Sequence, residues 1–407
     1  MLGEKRVRAF YYQSQGGVSM SKKVILVMVV LCSLFLGGVA FSQEAELKAG
    51  FIYVGPIGDL GWSHAHEQAR QVLEEVYPWL DTIYVEAVPE GEVEGIIDRL
   101  INQEKVDVVV TTSFGFMDGT LNAAKRYPDK IFFHCSGFKR APNLATYMAD
   151  FHQVYYLNGI MAGALTKSGK IGYVGTFPTP ELKRHINAFT LGVRRANPQA
   201  EVNVRWLQSA WYDPQGAKEA AEALIAEGVD VLAFTEDSAS VAQVAEEKGL
   251  PSFGHYSPML SYAPNNLVSG QLVHWEAIYL DFFAKVYAGL YTNENLENVD
   301  YWWLLSDGAV ELGADFGVPV NPAFEEALKS YMVTDPVYGD VSAYDLVFKL
   351  EKAMADPEYA FSPFTGPIKD RQGNLRVPSL VRLALEDLIT MEWAAEGVAG
   401  PWPGEPE

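Results

Sequence analysis

Short runs of Val, Ile, Phe and Tyr alternate with segments of helical periodicity, and this alternation organises the chain. The first run, over 49–54, is closed by Gly55-Pro56-Ile57-Gly58. Ala65, Ala69, Val72, Leu73 and Val76 then recur at the spacing of one buried helix face. A strand over 82–85, a helix over 93–101 and a strand over 106–112 follow, then a helix over 117–126 and a strand over 131–135. The string Val106-Asp107-Val108-Val109-Val110 is nearly continuous β-branched sequence. That is how a strand covered on both faces of a parallel sheet reads.

The pattern restarts near 153. It predicts a helix to about 166, a strand over 170–174, a long helix over 181–196 and a strand over 202–207. A helix over 216–226, a strand over 229–234, a helix over 238–247 and a strand over 252–255 come next. A further helix is expected over 275–288, and 301–311 is aromatic and then turn-rich. Near the end a hairpin-like element over 366–374 precedes a predicted helix over 380–394. The closing Pro401-Trp402-Pro403-Gly404 reads as a frayed end.

Strand–helix alternation at this spacing gives right-handed parallel βαβ units. Two such series predict an α/β protein of two Rossmann-like lobes with parallel sheets, joined by a hinge. The N-terminal lobe is expected to hold about 47–151 and to return for about 275–305. The C-terminal lobe would hold about 152–274 and about 306–395, leaving 396–407 as a tail. The string EKVDVVVTTSFG (104–115) is echoed by EGVDVLAFTEDS (227–238). In each, a Val-Asp-Val strand runs into a polar loop. Ligands of such sheets bind at the carboxyl ends of strands, so both loops should face one cleft.

Catalytic motifs are scarce. Gly-x-Ser-x-Gly, a Walker loop and a Gly-x-Gly-x-x-Gly helix opening are all missing from the sequence. His64-x-His66 would place its two rings on different faces of a helix. Cys135 follows His134 on an apolar strand and reads as core. Aromatic residues at predicted strand ends are the more informative set: Trp62, Phe114, Phe116, Phe177, Trp211, Tyr212, Tyr256 and Trp275. Aromatic faces stack on flat heterocycles. Asp59, Ser113, Asp118, Asp213, Glu236 and Asp237 supply acceptors nearby, and carboxylates are strong acceptors for N–H donors. Asp118, Asp213 and Asp237 also lie near predicted helix starts, where an acid caps free N–H groups. Capping suits Asp213 best, with Pro214 at the first helical position.

The 407 residues are 49% apolar and 20% charged, as in a globular protein with a sizeable core. A formal charge of −21 disfavours nucleic acid, which calls for clustered Lys and Arg. Residues 1–42 have the layout of a cleaved secretory signal, with either an extended or a mis-assigned start before Met20; a transmembrane anchor is the alternative, for which the apolar run is short. Ser21-Lys22-Lys23 is basic, 24–39 is almost wholly apolar, and Ala40-Phe41-Ser42 offers small residues for cleavage; Met20 gives a signal of ordinary proportions. Cys32 follows the large Leu31, which disfavours a lipid anchor. The expected location is the periplasm or the outer face of the inner membrane.

The chain resembles the basic membrane protein family of solute-binding proteins, the purine-receptor group within the type I periplasmic binding fold. The resemblance rests on Gly58-Asp59-Leu60-Gly61-Trp62-Ser63, Thr112-Ser113-Phe114-Gly115-Phe116-Met117, Trp211-Tyr212-Asp213-Pro214, Thr235-Glu236-Asp237-Ser238 and Phe364-Thr365-Gly366-Pro367-Ile368-Lys369-Asp370. It spans about 47–395. The resemblance implies a purine ring held between Trp62 and Trp211, delivery to an ABC permease, no cofactor and no turnover. Asp237 and Ser113 would read the ring edge, with Asp59, Phe114, Gly115, Phe177, Tyr256 and Trp275 around it. The acid and lysine that hold ribose in nucleoside-binding members are replaced here by Gly254-His255-Tyr256 and Gln271-Leu272-Val273-His274-Trp275. That favours a smaller pocket closed by Tyr256 and Trp275, suited to a free base such as adenine. A nucleoside or another small solute is the alternative, and a hydrolase on this scaffold a more remote one.

Overall fold

The computed structural model describes residues 47–358 and 361–405. The signal-like segment, with Cys32 and Met20, lies outside the described residues.

The first sheet contains β1 (Leu47–Ile52), β2 (Leu80–Val85), β3 (Val108–Thr111), β4 (Ile131–Cys135) and β5 (Leu144–Ala149). The second contains β6 (Lys170–Gly175), β7 (Glu201–Trp206), β8 (Val231–Thr235), β9 (Ser252–Tyr256) and β10 (Leu267–Val273). Two later strands return one to each sheet: β11 (Asp300–Trp303) pairs in parallel with β5, and β12 (Val310–Leu312) pairs antiparallel to β10. The orders are β11-β5-β4-β3-β1-β2 and β12-β10-β9-β8-β6-β7, the second extended by Val398–Ala399. β1 lies between β2 and β3, and β6 between β7 and β8. Each sheet therefore has a reversal of strand order beside its first strand, where a crevice opens. This is the fold of the type I periplasmic binding proteins.

The connecting helices are α1 (Trp62–Val76), α2 (Val93–Asn102), α3 (Met117–Arg126), α4 (His152–Leu165), α5 (Pro180–Ala196), α6 (Pro214–Ala226), α7 (Ser240–Lys248) and α8 (Trp275–Tyr287). α4 is buried on all sides from His152 to Ala164 and packs along α5. Gly159 and Gly192 permit that approach: a Cβ on either would lie 2.0 Å from a carbonyl oxygen of the opposing helix. The chain crosses between sheets after β5, after β10 and after β11. These crossings are tied together, Asp150 N donating to Trp303 O (3.0 Å) and His274 N to Ala309 O (2.8 Å).

The sequence does not mark every element. β5 (LATYMA) has only one β-branched residue, and β10 (LVSGQLV) is broken by Ser269 and Gly270; both are nevertheless fully buried strands. Helices α9 (Pro322–Ser330) and α10 (Ala343–Ala355) were also not anticipated. The helix expected over 380–394 shrinks to α11 (Leu385–Ile389). The rest of that segment gives its backbone groups to α5 instead: Asn187 Nδ2 donates to Trp393 O (2.8 Å) and Asn187 Oδ1 accepts from Ala395 N (2.8 Å). The chain end is not frayed at Trp402, which is buried, packs edge-on against Trp206 at 5.7 Å and donates its indole N–H to Glu392 O.

Candidate functional site

The loop after β1 builds one wall. Asp59 accepts from the backbone N–H groups of Gly61 (2.8 Å), Ser63 (3.1 Å) and His64 (3.0 Å). The buried carboxylate thus satisfies the free donors at the start of α1 and fixes Trp62 in the first helical turn. The Trp62 indole N–H donates to Thr112 O at the end of β3. Tyr256 and Trp275 meet the Trp62 ring edge-on, at 5.1 and 5.3 Å between centroids.

The facing wall comes from the loops after β7 and β8. Asp213 caps α6 by accepting from Gly216 N (2.9 Å), with Pro214 at its first position. Trp211 precedes that cap, and its carbonyl accepts from Asp237 N (3.1 Å). Asp237 does not cap α7. Its Oδ1 reaches across the cleft and accepts from Trp62 N (3.1 Å). A second bridge runs the other way: the Trp211 indole N–H donates to Glu90 Oε1 (3.2 Å), which also accepts from Ser113 Oγ (2.6 Å). The two halves meet tightly. A Cβ on Gly61 would lie 2.6–2.8 Å from the Oδ1, Cα and Cβ atoms of Asp237.

Between these walls lies a small cavity, partly open to solvent. Trp62, Ser113 and Phe114 line it from one half, and Glu181, Trp211, Asp237 and Tyr256 from the other. Ser136 and Tyr256 hold left-handed backbone angles there, φ 63° and 60°. Non-glycine residues take such angles at a small cost and tend to do so at binding sites.

The electrostatics are acidic. Burial pushes the Glu181 carboxyl up to about 7, partly offset by Arg184. Burial also pushes Glu236 up to about 7, against the hydrogen bonds from Ser238 and Asp213 N. Asp237 is raised well above the usual carboxylate range, first by burial, then by the charges of Asp59 and Glu236. His255 lines the cavity, and burial holds it well below its ordinary pKa, so it is neutral. Among the described residues, no Lys or Arg lines the cavity. Carboxyl groups between aromatic faces suit a flat, neutral guest that offers N–H donors, and disfavour an anion.

Of the residues singled out in sequence, Trp62, Trp211, Asp237, Ser113, Phe114 and Tyr256 come together on this cavity. Asp59, Gly115, Phe177 and Trp275 do not line it. Asp59 is spent on the start of α1. Gly115 makes room for Glu90, whose carboxylate lies 2.0–2.4 Å from where its Cβ would stand. Phe177 supports Trp211 edge-on at 4.9 Å. Trp275 is wholly buried and stacks on His66 at 4.3 Å, so it acts through Trp62. Sequence reasoning missed Glu181, Ser136, His255 and Glu90. Only Glu181 had a local signal, the Pro180 that opens a long helix at a strand end.

The fold and the shared cavity define a two-lobed solute-binding protein. The chain belongs to the PnrA-like ABC transporter substrate-binding protein family, whose model matches residues 46–335. This is a family of solute-binding proteins, not of enzymes. The chain is 33% identical over 380 residues to a purine-binding protein of Brucella abortus, covering 93% of this chain and 100% of that one. A protein of Haloferax volcanii whose name gives glucose as the bound solute is 39% identical over 248 residues, 61% of this chain and 63% of that one. A solved ABC transporter solute-binding protein from Aeropyrum pernix shares the fold, with TM-score 0.63 at 18% identity, over 86% of this chain and 100% of that one.

Proposed function

We propose that the protein is exported, captures a purine base such as adenine between its lobes, and presents it to an ABC permease at the membrane. The observation that carries this reading is that Trp62 and Trp211, from opposite halves, line one small cavity together with the carboxyl groups of Glu181 and Asp237. The rings would clamp the base while Asp237 and Glu181 take its N–H donors and Ser113 reads a further edge group. Because both halves touch the guest, binding favours the joined arrangement by its differential affinity for it. None of the described helices is long and apolar enough to cross a membrane.

Calorimetric titration with adenine, adenosine, ribose and glucose tests the reading. Adenine should bind saturably at one site and glucose should not. Glucose binding without adenine binding would reverse the conclusion, in favour of the solute for which the Haloferax relative is named.

Acidity gives a second test. The ring donor stabilises ionised Glu181, whereas burial holds its pKa near 7. Binding therefore expels a proton, and acid opposes it. Affinity for adenine should rise roughly five- to tenfold from pH 6 to 7.5 and level off above. Glu181→Gln should flatten the profile. A flat profile in the unaltered protein removes Glu181 from the site.

A further inference from the structure

A second chamber adjoins the first and shares Phe114, Ser136 and Glu181 with it. Its remaining walls are largely apolar, formed by Phe138, Met148, Trp302 and Ile389. Its two other charged members are already engaged. Arg184 donates Nε to Asp150 Oδ2 (3.1 Å) and Nη2 to Asp150 Oδ1 (3.2 Å), and its guanidinium lies 5.0 Å above the Trp302 ring. Asp300 pairs with Arg140 (2.9 Å) and accepts from Thr146 Oγ1 (2.8 Å). A group entering the chamber past Glu181 therefore meets aromatic and aliphatic surface flanked by neutralised charge.

The far wall has a separate origin. Ile389 belongs to α11, beyond residue 335, where the family match ends. It is held there by α5, the helix whose first turn carries Glu181. Arg184 binds the Leu388 carbonyl, and Asn187 bonds both Trp393 O and Ala395 N, each at 2.8 Å. One helix thus joins the acid of the first cavity to the wall of the second.

We propose that this chamber is a second subsite, which takes an apolar or aryl substituent carried on the edge of the planar guest. The ligand class it fits is a purine bearing an alkyl or arylalkyl amine. The proposal rests on the first cavity being a purine site. Burial of such a substituent adds apolar area at no cost in unpaired charge, so it strengthens binding.

Calorimetry with adenine and N6-benzyladenine tests it, on the unaltered protein and on two variants. Ile389→Trp fills the chamber from the tail. Phe138→Trp fills it from a loop where Phe138 is 40% exposed and substitution is tolerated. Thermal unfolding checks that each variant is folded, and either variant suffices. The unaltered protein should bind N6-benzyladenine about tenfold or more tightly than adenine. A folded variant should lose about tenfold or more for N6-benzyladenine and stay within about twofold for adenine. Adenine binding with rejection of N6-benzyladenine overturns the subsite alone, as does a variant that weakens both ligands equally. Binding of neither ligand by the unaltered protein overturns the purine reading, and the subsite with it.

Discussion

Gly61→Ala should weaken adenine binding by roughly 10- to 100-fold while leaving the separate halves folded. Gly61 lies in the loop that leads into α1, and its would-be Cβ lies 2.7 Å from the Asp237 Cα. A backbone atom cannot turn aside as the end of a flexible side chain can. The collision exists only when the halves are together, so the penalty falls on the joined arrangement. Overpacking of this kind costs about 1–3 kcal/mol. Affinity drops by the fraction of molecules still able to close. Calorimetry would read the loss, small-angle scattering would show a ligand-saturated variant more open than the unaltered protein, and the melting temperature without ligand should hardly move. An unchanged dissociation constant would mean that Gly61 and Asp237 do not have to meet for capture.

Trp211→Ala should weaken adenine binding by about tenfold or more. Stacking on an aromatic face is worth about 1–3 kcal/mol per base, which converts to roughly 5- to 150-fold. Trp211 also bridges the cleft through its indole N–H to Glu90. Trp211→Phe separates these roles, since it keeps a stacking face and deletes the donor. Its loss should be smaller than that of the alanine variant. If alanine binds adenine as well as tryptophan does, no clamp exists at this position. Trp62 is a poorer probe, because it is buried and wedged against Trp275 and Tyr256, so its removal also disturbs the core.

Much of the architecture could be read directly from the chain. The Val-Asp-Val strings that open β3 and β8 mark the two sheets, because β-branched runs covered on both faces leave little alternative to a parallel strand. The long helix α5 was legible from its periodicity, and the start of α6 from Asp213-Pro214. What escaped was sequence whose local preference is overruled by neighbours. β5 and β10 have weak strand composition and form because pairing partners wait on both sides. The segment over 380–394 has helical composition, yet beyond Ile389 its Trp393 carbonyl and the neighbouring Ala395 N–H are claimed by Asn187, so most of it does not coil. Trp402 is flanked by prolines and glycine, as an end residue often is, but a slot beside Trp206 buries it.

The sequence by itself determined the alternation of elements, the two sheets and the aromatic residues at their strand ends, since periodicity and turn chemistry act over a few residues. Tertiary structure alone decided which acids face the cavity. Asp59 and Asp237 look equivalent in sequence, yet the first is consumed by three backbone donors of its own loop and the second reaches the opposite half. Glu181 and Glu90 enter the site from positions far along the chain, and no local pattern encodes an encounter across a cleft.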